Sequence, residues 1–379
     1  MCADYATIIL IVPAEKVNRT GRKLRSTYGM NHAPTKSNVE SKLFCPRRDC
    51  PCYQSLDNNI TKDGVYTTKN DGVVRQMFNC GKGKHRFSET GYCDLFGKHG
   101  SFKEYEQMCK LSCYGLSTDA IADVLLKDTR TIATWQRSVS KKTNLFHDFI
   151  CLSITLTVLF IQLDELWSFL SNKNNQLWVF IGFEVDSRFW VNFELGSRTT
   201  HTATKLVKQI KHYIGKLSRF NPLKVTTDKL AAYKNALQSV FTDIDYVYLQ
   251  IVKKRVKMRL VTVKKCFVKG TAADFKGKTQ NTSYIERFNL TLRQRVSYLQ
   301  RKTLGYCKKK ANFTDTLWIN LYDYNYRCHH KSLRLPLTFP GMSRFQKKWT
   351  HRTPAMAMGL TQEALTWRFL FVVPIQVTR

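Results

Sequence analysis

Three carboxylates, Asp164, Asp228 and Glu286, limit the folds open to this chain more than any other feature, because each lies in a different structural context. The first follows the apolar run Val158-Leu159-Phe160-Ile161-Gln162-Leu163 and the second follows Lys224-Val225-Thr226-Thr227. Both runs have the length and β-branched content of buried strands, so each aspartate is expected where a strand of an open sheet finishes. Between them lie two apolar segments, 177–186 and 189–195, split by the turn-like Asp186-Ser187-Arg188, and then a helical stretch at 200–213. The expected order is strand, strand, strand, helix, strand, helix. Glu286 differs: Ser283 offers a cap, and Ile285, Phe288, Leu292 and Leu299 recur at helical spacing, which predicts a long helix packed on the sheet. The same period places Glu286, Asn289 and Arg293 on a second stripe of that helix. Strand end, strand end and helix is the order in which a nuclease-like α/β fold gathers acidic ligands around two metal ions for phosphodiester chemistry. Any one of these residues alone reads as a solvated turn or surface acid.

Charge points to the partner. The chain has 61 Lys and Arg against 28 Asp and Glu, a net charge of +33, which favours a polyanion and above all nucleic acid. A membrane is not expected as a partner, since no amphipathic anchor or lipidation motif is found. The run at 149–163 is too short and too rich in Ser and Thr for a span, and Ile8-Ile9-Leu10-Ile11-Val12 lacks the preceding basic flank of a secretory signal. A cytoplasmic location is therefore expected. At 379 residues and 43% hydrophobic content, the chain has enough apolar surface for two or three domains with a sizeable core.

Most of the twelve cysteines show no framework spacing and read as reduced thiols. The exception is Cys45-Pro46-Arg47-Arg48-Asp49-Cys50-Pro51-Cys52, followed after a polar hairpin-like segment by Cys80 and His85. This resembles a small zinc ribbon, in which two short knuckles meet across a hairpin to give four ligands in a tetrahedron. Gly83 stands where the second knuckle would place another cysteine, leaving His85 or Cys93 as the fourth ligand. The set Cys45, Cys50, Cys80 and His85 is the expected zinc site, and buried cysteines of a decayed ribbon are its alternative.

Two further segments fit a nucleic-acid partner. A helix near 102–113 precedes a second at 117–125 with Ser117 as N-cap. After a break at Lys127-Asp128 comes a short third at 129–137, with Ile132 and Trp135 inward and Arg130, Thr134 and Arg137 outward. This is helix-turn-helix grammar, and the outward residues of the last helix would be the base and phosphate contacts; the same pattern also occurs in plain helical bundles. Lys141 and Lys142 are expected at a hinge to the next domain. Further on, Arg255, Lys257 and Arg259 alternate with Val256, Met258 and Leu260, a period-two strand with one cationic face suited to tracking phosphates, followed by apolar runs that suggest an antiparallel insertion. A solvated, lysine-protected edge strand is the competing reading.

Asp164-Glu165-Leu166-Trp167-Ser168-Phe169, Thr227-Asp228-Lys229-Leu230-Ala231-Ala232-Tyr233 and Asn281-Thr282-Ser283-Tyr284-Ile285-Glu286-Arg287-Phe288-Asn289-Leu290-Thr291-Leu292-Arg293 resemble the signature blocks of IS1-family insertion-sequence transposases. The cysteine segment, the helical segment, 322–334 and 353–361 resemble the longer branch of that family; residues 1–40 do not. The resemblance implies an α/β, RNase H-like catalytic domain, a mixed sheet with flanking helices. A small zinc-ribbon-like module and a helix-turn-helix that bind the element's terminal inverted repeats would precede it. The boundaries expected are a basic extension at 1–40, the ribbon at 41–97, the helix-turn-helix at 98–145, the catalytic domain at 150–345 with a basic β insertion near 246–278, and a tail at 346–379.

Position by position, the resemblance places the catalytic, magnesium-binding triad on Asp164, Asp228 and Glu286, with two Mg²⁺ ions, or Mn²⁺ in their place. It implies hydrolysis at the element's 3′ ends and joining of the 3′-hydroxyl to target DNA, by at least a homodimer on double-stranded DNA at the nucleoid. Asn289 and Arg293 are expected to orient Glu286 or to touch DNA. Two positions depart from the family pattern: Gly83 in the ribbon, and Lys229-Leu230 after the second aspartate, where a glycine and a bulky residue are more usual. A catalytically idle DNA-end binder or regulator is the alternative function. A nuclease of RNA–DNA hybrids shares the fold but has no need of the N-terminal modules.

Overall fold

The computed structural model of the chain describes residues 45–47, 49–53, 59–69, 72–91, 97–98, 100–153, 160–214, 222–256, 259–275, 280–301, 305–337 and 348–373. The extension at 1–40, Val158, Leu159, Cys93 and Lys257, together with the side chains of Arg255 and Arg259, lie outside the described residues.

The first module is a three-stranded antiparallel sheet of β1 (Ile60–Thr67), β2 (Val74–Cys80) and β3 (His85–Ser88). Its small core is Phe78 and Phe87 with the buried Cys45, Cys50, Cys52 and Cys80. Three helices follow: α1 (Phe102–Cys113), α2 (Thr118–Val124) and α3 (Thr129–Ser153). Ser101 and Glu104 form a capping box at the start of α1, and the Ser117 side chain caps α2 as expected. The Tyr105 ring meets Trp135 edge-on at 4.4 Å, joining α1 to α3. The expected short third helix with a hinge at Lys141-Lys142 is corrected. α3 runs 25 residues without a break, because Ile132, Trp135, Val139, Phe146 and Ile150 continue one buried stripe and no Gly or Pro interrupts it.

The central sheet is six-stranded in the order β6-β5-β4-β7-β8-β9. It is built from β4 (Phe160–Phe169), β5 (Gln176–Glu184), β6 (Trp190–Gly196), β7 (Leu223–Thr227), β8 (Tyr246–Val256) and β9 (Arg259–Lys269), with α4 (Thr200–Ile214) before β7 and α5 (Ala231–Val240) after it. β4, β5 and β6 form an antiparallel meander, β7 and β8 run parallel to β4, and β9 returns antiparallel. This mixed sheet flanked by helices fits an RNase H-like domain, in the element order expected. One face packs on α4: a Cβ at Gly182 would lie 2.7 Å from Ile210 Cδ1, so a larger residue there would require the Ile210 side chain to shift. The other face packs on α6 (Ser283–Arg295) and α7 (Lys310–Tyr322), through Phe183 stacked on Phe288 and Phe193 against Trp318.

Three further expectations need correction. β4 does not end at Asp164, because Leu166 and Ser168 keep the inward alternation and pairing with β5 continues to Phe169. α6 is shorter than its apolar pattern suggested: it stops at Arg295, and Leu299 is buried from a following 3₁₀ turn. Arg255 and Arg259 do not share a strand, since Arg255 belongs to β8 and Arg259 to β9, which pair antiparallel with Val256 opposite Arg259. The ribbon of β8 and β9 is an extension of the central sheet itself, because the first half of β8 pairs with β7.

The remaining chain closes the core. β10 (Leu335–Leu337) and β11 (Lys348–Thr350) pair, α8 (Pro354–Ala357) is capped by Thr353, and α9 (Trp367–Val372) buries Trp367, Leu370 and Phe371 in the same core as α1 and α3. No helix among the described residues is long and apolar enough to cross a membrane.

Strand β6 is a sheet edge, and its outward groups need partners. Asn325, in the π-turn Asp323–Arg327 after α7, accepts from the Trp190 N–H at 2.9 Å and donates to the Trp190 carbonyl at 2.8 Å. Both residues are fully buried. Asn325→Ala would strand two buried backbone groups at roughly 1–3 kcal/mol each, so a loss of about 2–5 kcal/mol in urea unfolding is expected; a loss within the error of wild type would show that the edge is held by packing alone.

Candidate active site

Register brings the first two carboxylates together. β4 and β7 pair in parallel from Phe160 with Lys224 to Leu163 with Thr227, so Asp164 and Asp228 are the next residues of each strand. β7 ends there, leaving a gap beside Asp164 and Glu165. Although neighbours on a strand point to opposite faces, the oxygens of Asp164, Glu165 and Asp228 lie within 4.8 Å of one another at this gap. Asp228 Oδ1 accepts from the Leu230 N–H at 2.9 Å, an Asx turn that leads into α5.

Each carboxylate is held from a different element. Gln162, two residues before Asp164 and on the same face, donates to the Asn281 carbonyl at 2.6 Å and accepts from the Ile285 N–H at 2.9 Å, so it clamps the first turn of α6 to β4. One helical turn on, Asn289 donates to Asp164 Oδ2 at 2.7 Å. Asn289 is 3% exposed, which places it against Asp164 rather than on the surface, and its Oδ1 is a buried oxygen with no partner among the described residues. Glu165, on the opposite face with a side chain 3% exposed, accepts from Arg198 Nε at 2.9 Å and from the Tyr233 hydroxyl at 3.2 Å. Glu286 projects from the first turn of α6, where its Oε1 pairs with Lys253 of β8 and accepts from Thr282 Oγ1 at 2.6 Å. It is near enough for its charge to act on Asp164, yet it is not among the three clustered carboxylates.

Arg293, half-buried, is held below its ordinary pKa by burial and then by Arg301, with Asp164 opposing. With Arg287, Leu290, Thr291, Gln294 and Arg301 it lines a groove of about 300 Å³. Arg130, Thr134 and Arg137 lie exposed on one face of α3, far along the chain from the carboxylates, with Arg137 3.7 Å from Asp315 of α7. Glu165, Gln162 and Lys253 were not expected at the site. Adjacency to Asp164 was the available signal for Glu165; the Lys253 contact depends on how far β8 runs past β7, which no local pattern reports.

The cysteine cluster is equally compact. The ligand atoms of Cys45, Cys50, Cys80 and His85 lie within 4.8 Å of one another. The Cys50 and Cys80 sulfurs are 3.8 Å apart, the edge of a tetrahedron whose metal–sulfur bonds are about 2.3 Å. His85 Nδ1 donates to the Gly83 carbonyl at 2.9 Å, which leaves the Nε2 lone pair facing Cys45 Sγ at 3.1 Å. Burial pushes the Cys45 thiol up to about 12. A Cβ at Gly83 would fall 2.5 Å from Cys50 Sγ and 2.7 Å from His85 Nδ1. Gly83 thus lies directly beside the cluster, and the imidazole two residues on fills the space that its Cβ would take. Cys52 lies beside the four with its thiol against Cys80.

The carboxylate cluster suits a hard divalent cation, for which oxygen ligands and an unmatched negative charge are the requirement. Burial first, then Glu165, Asp228 and Glu286, push the Asp164 carboxyl from 3.8 up to about 7. The sign follows from linkage: the neutral form's contribution to stability is complete below the ordinary value and is lost as pH rises through about 7. In EDTA, Asp164→Asn is expected to unfold several degrees above wild type at pH 8, with the gap closing toward pH 4. A gap equal at both pH values would mean that the carboxyl is not strained by its neighbours.

No curated protein matches the chain. The family model for IS1 transposase matches residues 157–272, a stretch that contains Asp164, Glu165, Asp228 and Lys253 but neither the cysteine cluster nor α6. Over that segment, which is the core of its central sheet, the chain is similar to the IS1 transposases.

Proposed function

We propose that the chain is a DDE transposase whose active site is formed by Asp164, Asp228 and Glu286. The observation that carries this is the strand register that sets Asp164 beside Asp228 within the segment matched by the family model. These three residues would hold two divalent cations, Mg²⁺ with Mn²⁺ as substitute, and Glu165 is placed to support them. When bound, such cations polarise the phosphodiester and the attacking and leaving oxygens. The chain's own residues do the rest: Asn289 sets the orientation of Asp164, Arg198 and Tyr233 hold Glu165, and Arg293 offers a guanidinium to phosphate at the site's rim. The reaction is hydrolysis of the phosphodiester at an element's 3′ end, followed by attack of the freed 3′-hydroxyl on a target phosphodiester, one strand bond formed as another breaks.

Recognition falls to other parts. α2 and α3 act as a helix-turn-helix in which Arg130, Thr134 and Arg137 touch bases and phosphates of the terminal repeats. Phosphate tracking falls to the ribbon of β8 and β9 and to Arg255, Lys257 and Arg259. Zinc held by Cys45, Cys50, Cys80 and His85 stiffens the first module. Two element ends must meet, so at least a dimer assembles on DNA.

The reading is tested by nicking of DNA that carries the termini flanking the gene. Wild type with Mg²⁺ is expected to cut at the 3′ end and Asp228→Asn to lose at least about a hundredfold in rate, the scale of a removed electrostatic ligand; tight binding without cleavage under Mg²⁺ or Mn²⁺ would instead make the chain an idle end binder. Elemental analysis of the purified chain should find one zinc, lost in His85→Ala, and a wild-type chain free of zinc would retire the metal ribbon.

A further inference from the structure

Lys253 leaves β8 where that strand has run past β7, whose last residue Thr227 pairs with Gln250. From there its ammonium reaches the first turn of α6, pairs with Glu286 Oε1 and lies 3.3 Å from Thr282 Oγ1, which itself donates to the same carboxylate oxygen. One oxygen of the proposed third ligand thus carries two donors from the protein. The contrast with Glu165 is informative. Arg198 grips Glu165 with two nitrogens where the carboxylate is almost fully buried, a lasting counter-ion. Lys253 offers one compact charge to a carboxylate that is 47% exposed, and such a pair contributes little stability and is cheaply exchanged.

We propose that Lys253 is a positioning residue that competes with the divalent cation for Glu286 and is drawn off by a DNA phosphate, so that metal loading and DNA binding reinforce each other. Two features of the site support the exchange. Lys253 stands on the ribbon with Lys265, which pairs with Ile251 two residues earlier, on the same face, a cationic strip where a DNA backbone would lie. A lysine is also a ready phosphate ligand as a point charge. Because cation and DNA both favour the state in which Lys253 has left Glu286, each raises the affinity of the other by the same factor.

The inference rests on the carboxylate site proposed above, and the test separates the two. Mn²⁺ binding to the full-length chain without DNA is measured by electron paramagnetic resonance of the free ion, for wild type, Lys253→Met, Lys253→Arg, Lys253→Met with Glu286→Gln, and Asp164→Asn. Lys253→Met should bind the Glu286-dependent ion on the order of tenfold tighter, Lys253→Arg, which keeps the competing cation, should show no such gain, and the gain should vanish in the double variant. Added duplex DNA should tighten Mn²⁺ binding by wild type and not by Lys253→Met. Unchanged or weaker binding by Lys253→Met, with Asp164→Asn still defective, overturns the role of Lys253 alone. Binding by Asp164→Asn equal to wild type overturns the site beneath it.

Discussion

The pairing of Leu163 with Thr227 is the constraint from which the rest of the site follows. Side chains alternate along a strand, so a slip of one residue would turn Asp164 to the opposite face and carry Gln162 with it. Gln162 would then lose both bonds to the start of α6, and Asn289 would have no carboxylate to bind. The brevity of β7, five residues, matters as much. A longer strand would fill the gap in which Asp164, Glu165 and Asp228 meet. Placing three carboxylates there costs desolvation and mutual repulsion, as the raised Asp164 and Glu165 show. The fold offsets part of that cost with Arg198, Tyr233 and Asn289 and leaves the remainder for a cation.

The strands and helices of the central domain were legible in the sequence because each is short, apolar and bounded by turn residues. The mid-strand position of Asp164 was not, because β4 continues past it through the polar Glu165 and Ser168 and the exposed Trp167, which interrupt the apolar run. The reach of α3 was missed for the opposite reason. A turn-rich start with two outward arginines suggested a short unit, while the buried stripe that extends it includes Gln136, Lys142 and Thr143, which hydropathy counts as surface. Long-range partners were illegible throughout. Nothing near Glu286 announces Lys253, and nothing near Trp190 announces Asn325, since both contacts depend on tertiary placement of distant segments.

The cysteine cluster is completed within one hairpin by an imidazole. A Cβ at Gly83 would fall against Cys50 Sγ, and the ring of His85 occupies that space while its Nδ1 is fixed by the Gly83 carbonyl. The same glycine thus leaves room for the ring and supplies the acceptor that sets its tautomer. Among the described residues, the module is joined to the remainder by bonds that include Arg75 to the Gly100 carbonyl and Arg368 of α9 to Glu89.

α3 is one unbroken rod of 25 residues, about 37 Å at 1.5 Å per residue, with one side of its first turns exposed and with α7 packed against it. Its two ends therefore share one angular phase. Inserting or deleting a single residue midway would rotate the face bearing Arg130, Thr134 and Arg137 by about 100° relative to the sheet. Substitutions on the exposed side of the rod leave that phase untouched. Along this stretch the angular phase constrains the length of the chain, independently of what the exposed side chains contact.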